Sequence, residues 1–350
     1  MDKRVILAVA GSGKSSTIID KLDENIRALI VTYTDLNTKQ LKQRIINKFG
    51  YIPNGIKVYS YFSFIYVFCF RPICGYELKT KGLVFLNSLP QHIQRSQKKS
   101  RLHWMNGHNR LYSNRVAKLL IEAGAIDEVI ARIDKYFDLI CFDEVQDFAS
   151  NDFNFICKLV NSTKEILLVG DFYQHTFDTS RDGQTRKSLH DDYQKYCKEL
   201  IKAGFEIDES ALSKSYRCSP TICNFIYQKL GISFDSHRTD EVDVEFIDDR
   251  VDIDKIATDN SIVKLFYQSS NKYIGNTANW GAVKGADQYN DVCVILNTKT
   301  CKAYHNNELH KLNAQTLNKL YVACSRPRGN LYFIDEKQLK AFKYLSIYKY

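Results

Sequence analysis

The sequence predicts an α/β protein built from doubly wound, mostly parallel sheets, and three observations carry that expectation. Short apolar runs at 4–9, 28–33, 56–60, 137–142 and 166–170 have the length and continuity of strands covered on both faces. Helical patterns alternate with them, starting near residues 15, 36 and 151. Two of the runs end in residues suited to chemistry, at the strand ends where open α/β sheets bind their ligands.

The first strand, Val5 to Val9, runs into Ala10-Gly11-Ser12-Gly13-Lys14-Ser15-Ser16 and then a helix. Backbone N–H groups around Gly11 to Lys14 would line a concavity at a helix start, which suits a polyphosphate. Lys14 would reach the outer phosphates and the Ser15 hydroxyl would join a Mg2+ shell. Ala8 stands where the usual pattern has its first glycine.

The strand ending at Phe142 delivers Asp143 and Glu144 side by side, followed by Val145-Gln146-Asp147. Asp143 is placed to hold the metal and Glu144 to take the proton from an attacking water. An acidic turn alone is equally an ordinary solvated strand end. Paired with a phosphate loop about 130 residues earlier, it predicts a Mg2+-dependent nucleoside triphosphatase.

Length and charge bound the alternatives. At 350 residues the chain has room for two ordinary cores. The aromatic run Tyr59 to Phe70 is too short to span a bilayer and reads as a buried strand-to-helix segment. Ten scattered cysteines without a C-x-x-C pair read as reduced thiols, and with no leader the expectation is a cytoplasmic protein, in the host cytoplasm if the source is viral. Between Leu78 and Ile121 there is no Asp or Glu, while nine Lys and Arg are interleaved with Trp104 and Tyr112. Such a stretch suits phosphate contacts with base stacking, or is a basic solvated loop. Asp235 to Asp259 carries ten carboxylates and should lie away from a polyanion.

After an amphipathic helix at about 188–203, a second strand–helix series occupies 212–215, 219–229, 261–267, 292–296, 316–325 and 331–334. Its landmarks are Ser215-Tyr216-Arg217, Gly281 to Asp287, and Val322-Ala323-Cys324-Ser325-Arg326; upstream stands Gly170-Asp171-Phe172-Tyr173-Gln174. With Asp143 to Asp147 and the phosphate loop, this ordered set resembles superfamily 1 helicases of the UvrD/Rep type, across nearly the whole chain. The resemblance implies two RecA-like P-loop NTPase domains, here 1–206 with a small basic insertion at about 71–125, and 207–350. It implies an ATP-dependent motor that translocates on single-stranded DNA, with RNA as the other possible track, and unwinds duplex 3′ to 5′. The alternative is a nucleotide-gated nucleic-acid-binding ATPase or sensor without processive unwinding. No membrane role is expected.

Roles follow position by position from the resemblance. ATP would contact Ala10 to Ser16, Tyr216 by stacking and Asp287 through the ribose; Mg2+ would be held by Ser15 and Asp143. Gln174 would sense the terminal phosphate, and Arg217 and Arg326 would act as arginine fingers. Tyr33, Ser60, Tyr61, Trp280 and Lys284 would touch the nucleic acid. Departures are Phe62 where the family has histidine, Ser16 where it has arginine, Arg181 one place late, and two extra residues before Val292.

Overall fold

A computed structural model of the chain describes residues 2–86 and 88–344. Contacts divide it into two compact units: residues 2–7, 14–170 and 177–209 form the first, and residues 8–13, 171–176 and 210–344 the second.

The strands of the first unit are β1 (Lys3–Leu7), β2 (Ala28–Thr32), β3 (Ile56–Ser60), β4 (Leu83–Val84), β5 (Leu111–Tyr112), β6 (Leu139–Asp143), β7 (Glu165–Gly170) and β8 (Glu206–Asp208). Six of them form one sheet in the order β3-β2-β6-β7-β1-β8, with every pairing parallel. Every residue of β2 and β6 is buried, as expected of strands covered on both faces. Helices return the chain between strands and are closed by local signals. The helix Asp35–Phe49 starts on the Thr34 side chain, which accepts from the Asn37 N–H at 3.1 Å, and stops at Gly50 in the left-handed region. The helix expected from about 188 begins at Tyr193 instead. Asp192 caps it by accepting from the Lys195 N–H at 2.6 Å, which leaves 188–191 outside.

The aromatic run after β3 folds as helix Tyr61–Ser63, a π-helix at Phe64–Phe70 and helix Arg71–Leu78. β4 and β5 pair in parallel, and Leu89, Ile93 and Tyr112 bury a small core beside Val84. Arg115, expected among the phosphate-contacting cations, is fully buried here. Its guanidinium meets Asp182 at 3.1 Å and the His103 carbonyl at 2.6 Å. Tyr112 is buried too, so neither residue is available to a strand.

In the second unit, β9 (Lys214–Ser215) and β10 (Asp235–Ser236) form a short parallel ribbon. A five-stranded parallel sheet follows, made of β11 (Val244–Phe246), β12 (Val263–Phe266), β13 (Thr277–Asn279), β14 (Val292–Leu296) and β15 (Leu331–Asp335) in the order β11-β15-β14-β12-β13. Alternation splits β14 between two cores: Val292, Val294 and Leu296 enter one, Cys293 and Ile295 the other. Each such aliphatic side chain contributes about 1.5–3 kcal/mol by leaving water, which anchors the sheet. The fold is α/β with parallel sheets, as the sequence predicts.

Candidate nucleotide and nucleic-acid site

In the first unit the register of the sheet brings the acidic strand end level with the end of β1, the strand that runs into the glycine loop. Leu7 lies opposite Gly170, and Asp143 opposite Val169. Asp143 is therefore two strands from the chain entering the loop, about 10 Å away at 4.7–4.9 Å per strand. The helix Lys14–Asp20 packs against β6 and β7, so Lys14 and Ser15 open a helix lying over the strands that end in Asp143 and Gly170.

The turn after β6 is tightly built. Asp143, Glu144, Val145, Gln146 and Asp147 are all buried. Glu144 has φ 57° and ψ 45°, left-handed backbone in a residue with a Cβ. Its N–H donates to Asp143 Oδ1 at 3.0 Å, and its Oε2 accepts from Gln146 Nε2 at 2.5 Å. Gly170 allows this turn to sit so close: a Cβ there would lie 2.8 Å from Val145 Cγ1 and would press on the Gln146 side chain. Non-glycine residues in left-handed backbone cost of order 1–3 kcal/mol and cluster at functional sites.

In the second unit, residues 8–13 are wired by their backbone. The Val9 N–H donates to Leu212 O at 3.1 Å, and the Tyr216 N–H donates to Gly11 O at 2.9 Å. The Ala10 N–H donates to the Tyr321 hydroxyl at 3.0 Å, which in turn donates to Asp171 Oδ2 at 3.1 Å. Ser12 Oγ donates to Val9 O at 2.8 Å. Gly11 has φ +71°, and a Cβ on it would lie 2.7 Å from Arg217 Cβ, so both backbone angle and space demand glycine. Tyr321 and Asp171 are supports that no motif role named. Gln174 is buried on the turn Phe172–Gln174, which Asp171 caps by accepting from the Tyr173 N–H at 3.1 Å.

The two arginines expected as fingers differ. Arg217 lies against Gly11; it donates to Ser325 O at 3.1 Å and pairs with Asp287. Asp287, expected at the ribose, is thus the partner of Arg217 here, because its carboxylate is the counter-charge beside a nearly buried guanidinium. Arg326 is fully buried and donates to the carbonyls of Val322, Val283 and Ala286 at 3.0, 3.4 and 3.3 Å. Burial, with Arg217 adding repulsion, lowers its pKa to about 10. Its Nε and Nη1 are spent on its own unit while the buried Nη2 has no hydrogen-bond partner, so Arg326 acts as a strut in this conformation.

The residues expected at nucleic acid also separate. Tyr33 and Ser60 line a cleft of about 520 Å³ in the first unit, together with Phe62, Tyr66, Leu83 and Phe85. The rings are mutually braced, Phe62 against Tyr33 at 6.1 Å and against Phe85 at 4.9 Å between centroids. Phe85 is 61% exposed and was not foreseen, since it stands in a segment without motifs. Tyr61 and Trp280 correct the expectation. Tyr61 is fully buried with its hydroxyl donating to Asp152 Oδ1 at 2.7 Å. Trp280 is fully buried with Nε1 donating to Leu265 O at 2.8 Å. Neither ring offers a face to a base. Lys284 is half-buried at the end of the turn Trp280–Val283.

No protein-family model matches the chain, and no curated protein matches it. Solved structures similar to it include the helicase of PRRSV, 13% identical over 98% of this chain and 54% of that one, with a TM-score of 0.48. Arterivirus nonstructural protein 10, a helicase, is similar both alone (14% identity, 98% of this chain, 62% of that one, TM-score 0.48) and in complex with DNA (12%, 97%, 63%, 0.48). The chain spans between 54% and 63% of the length of these helicases.

Proposed function

We propose that the chain is an ATP-dependent nucleic-acid motor resembling superfamily 1 helicases of the UvrD/Rep type, with residues 1–206 and 207–350 as its two RecA-like domains. One observation carries the reading. The acidic strand end at Asp143 and the end of β1 at Leu7 stand level on one parallel sheet, against the helix that begins with Lys14 and Ser15. Buried Asp143 and the Ser15 hydroxyl are hard oxygen donors that fit Mg2+. Bound there, the ion would neutralise charge on the transferred phosphoryl group. Lys14 and the loop N–H groups would grip the polyphosphate, and Glu144 would orient a water and accept its proton. Arg217, beside Gly11, would meet the terminal phosphate after leaving Asp287. The cleft at Tyr33, Phe62 and Phe85 supports binding of unpaired bases by stacking.

The test is nucleotide turnover with and without single-stranded DNA or RNA, followed by strand separation on a tailed duplex. Stimulation of ten-fold or more by one of the single strands is expected. Turnover indifferent to both would overturn the motor reading. Stimulation without strand separation would select the second reading, a nucleotide-gated nucleic-acid-binding ATPase or sensor without processive unwinding, which the short two-stranded insertion at β4 and β5 favours.

A further inference from the structure

The second unit holds a ring pair of which the motif roles use only Tyr216. β9 and β10 pair in parallel with Lys214 opposite Asp235 and Ser215 opposite Ser236. The next residues, Tyr216 and His237, therefore leave the ribbon side by side. Their rings stack with centroids 4.0 Å apart and planes 13° from parallel. Both backbones are pinned: the His237 N–H donates to Ser215 O at 2.8 Å, and the Tyr216 N–H to Gly11 O at 2.9 Å. Tyr216 is nonetheless 59% exposed, because an imidazole covers only one face of a phenol ring. Neighbouring polar groups are engaged elsewhere. Ser236 Oγ donates to Cys218 O at 2.7 Å, and Arg238 pairs with Asp240 while donating to Arg328 O at 2.6 Å.

We propose that His237 is a positioning residue for the nucleobase. By stacking on Tyr216 it holds that ring in one rotamer, with the free face turned to receive the base of a nucleoside triphosphate whose phosphates lie on the loop at Gly11. The proposal rests on the nucleotide-site reading above and adds a residue to it. An exposed tyrosine at the end of a ribbon samples several side-chain rotamers, and immobilising it on ligand binding costs affinity. A stacked partner meets that cost in the free protein, which is preorganisation. An aromatic pair of this kind corresponds to about a 3- to 10-fold change in affinity. Recognition is by the π-face of the base, so the effect belongs to the base and not to the phosphates.

The experiment is steady-state ATP hydrolysis by the full chain, with inorganic tripolyphosphate as a base-free competitor. His237→Ala should raise KM for ATP about 3- to 10-fold, leave kcat within about twofold, and leave the tripolyphosphate inhibition constant unchanged. His237→Phe, which keeps a flat ring on Tyr216, should restore KM. Tyr216→Ala combined with His237→Ala should be no worse than Tyr216→Ala alone, because histidine acts only through tyrosine. An unchanged KM in His237→Ala overturns the proposal, as does an equal rise in the tripolyphosphate constant, which would mean a general disturbance of the loop. Absence of hydrolysis by the parent protein would instead refute the nucleotide-site reading and this proposal with it.

Discussion

Glu144 is expected to hold both a catalytic proton acceptor and stored backbone strain, and two substitutions separate them. Its φ of 57° and ψ of 45° cost a residue with a Cβ about 1–2 kcal/mol that glycine does not incur. Glycine gives back about 0.5–1 kcal/mol through the entropy of the unfolded chain. Glu144→Gly should therefore be more stable than Glu144→Ala by about 0.5–1 kcal/mol, although both lose the same carboxylate and the same bond from Gln146. Removal of a positioned general base costs about 10²- to 10⁴-fold in rate, so both variants should be nearly inert while binding Mg-nucleotide as the parent does. Urea-unfolding midpoints measure the first effect, single-turnover hydrolysis and nucleotide titration the second. Equal midpoints for the two variants would refute the strain. Turnover above about a tenth of the parent's in either would refute Glu144 as the base.

Asp152 is buried against the Tyr61 hydroxyl, and burial pushes its carboxyl from the ordinary 3.8 up to about 6. The folded state holds that proton more tightly than the unfolded chain, so this group's contribution declines as pH rises from about 4 to 6, by about 3 kcal/mol in all at 1.36 kcal/mol per pH unit. Asp152→Asn should accordingly gain stability over the parent at pH 7.5, with the gain vanishing near pH 4; a pH-independent difference in urea midpoint would contradict this. Gly170→Ala should lose about 1–3 kcal/mol and most turnover, because the added carbon lies 2.8 Å from Val145 Cγ1, whereas Gly107→Ala, with open space around it, should be neutral in the same melts. Arg326→Met should cost about 2–4 kcal/mol in urea unfolding, since buried carbonyls lose their donor; unchanged stability with lost hydrolysis would restore the finger role.

The sheets were legible because their strands are apolar on both faces, and a run such as Leu139 to Phe142 has few other uses. That Asp143 and the end of β1 lie at one edge of the sheet was legible because backbone direction alone carries parallel strand ends there. Side-chain orientation was not. A motif match places Tyr61 and Trp280 along the chain but does not say whether a ring turns inward, and both do. Long-range partners were equally hidden. Arg115 and Lys118 read as free cations until Asp182 is brought back beside them, and Arg217 until Asp287 is. The register that sets His237 beside Tyr216 comes from a parallel pairing across 21 residues, which no local periodicity records.

The all-parallel order of the first sheet has a consequence for how the chain is made. β1 has no neighbour in its own part of the sequence; Val5 pairs with Leu168 on one side and Ile207 on the other. At about 5–20 residues per second, a ribosome needs roughly ten to thirty seconds to deliver even the first of those partners. Through that interval the strand leading into the phosphate loop is an unpaired apolar edge, and non-local parallel pairing is intrinsically slow to form once the partners exist. Synthesis of this chain should therefore respond strongly to temperature, translation speed and chaperone supply. β1, made well before either of its partners, would be among the last parts of its sheet to take shape.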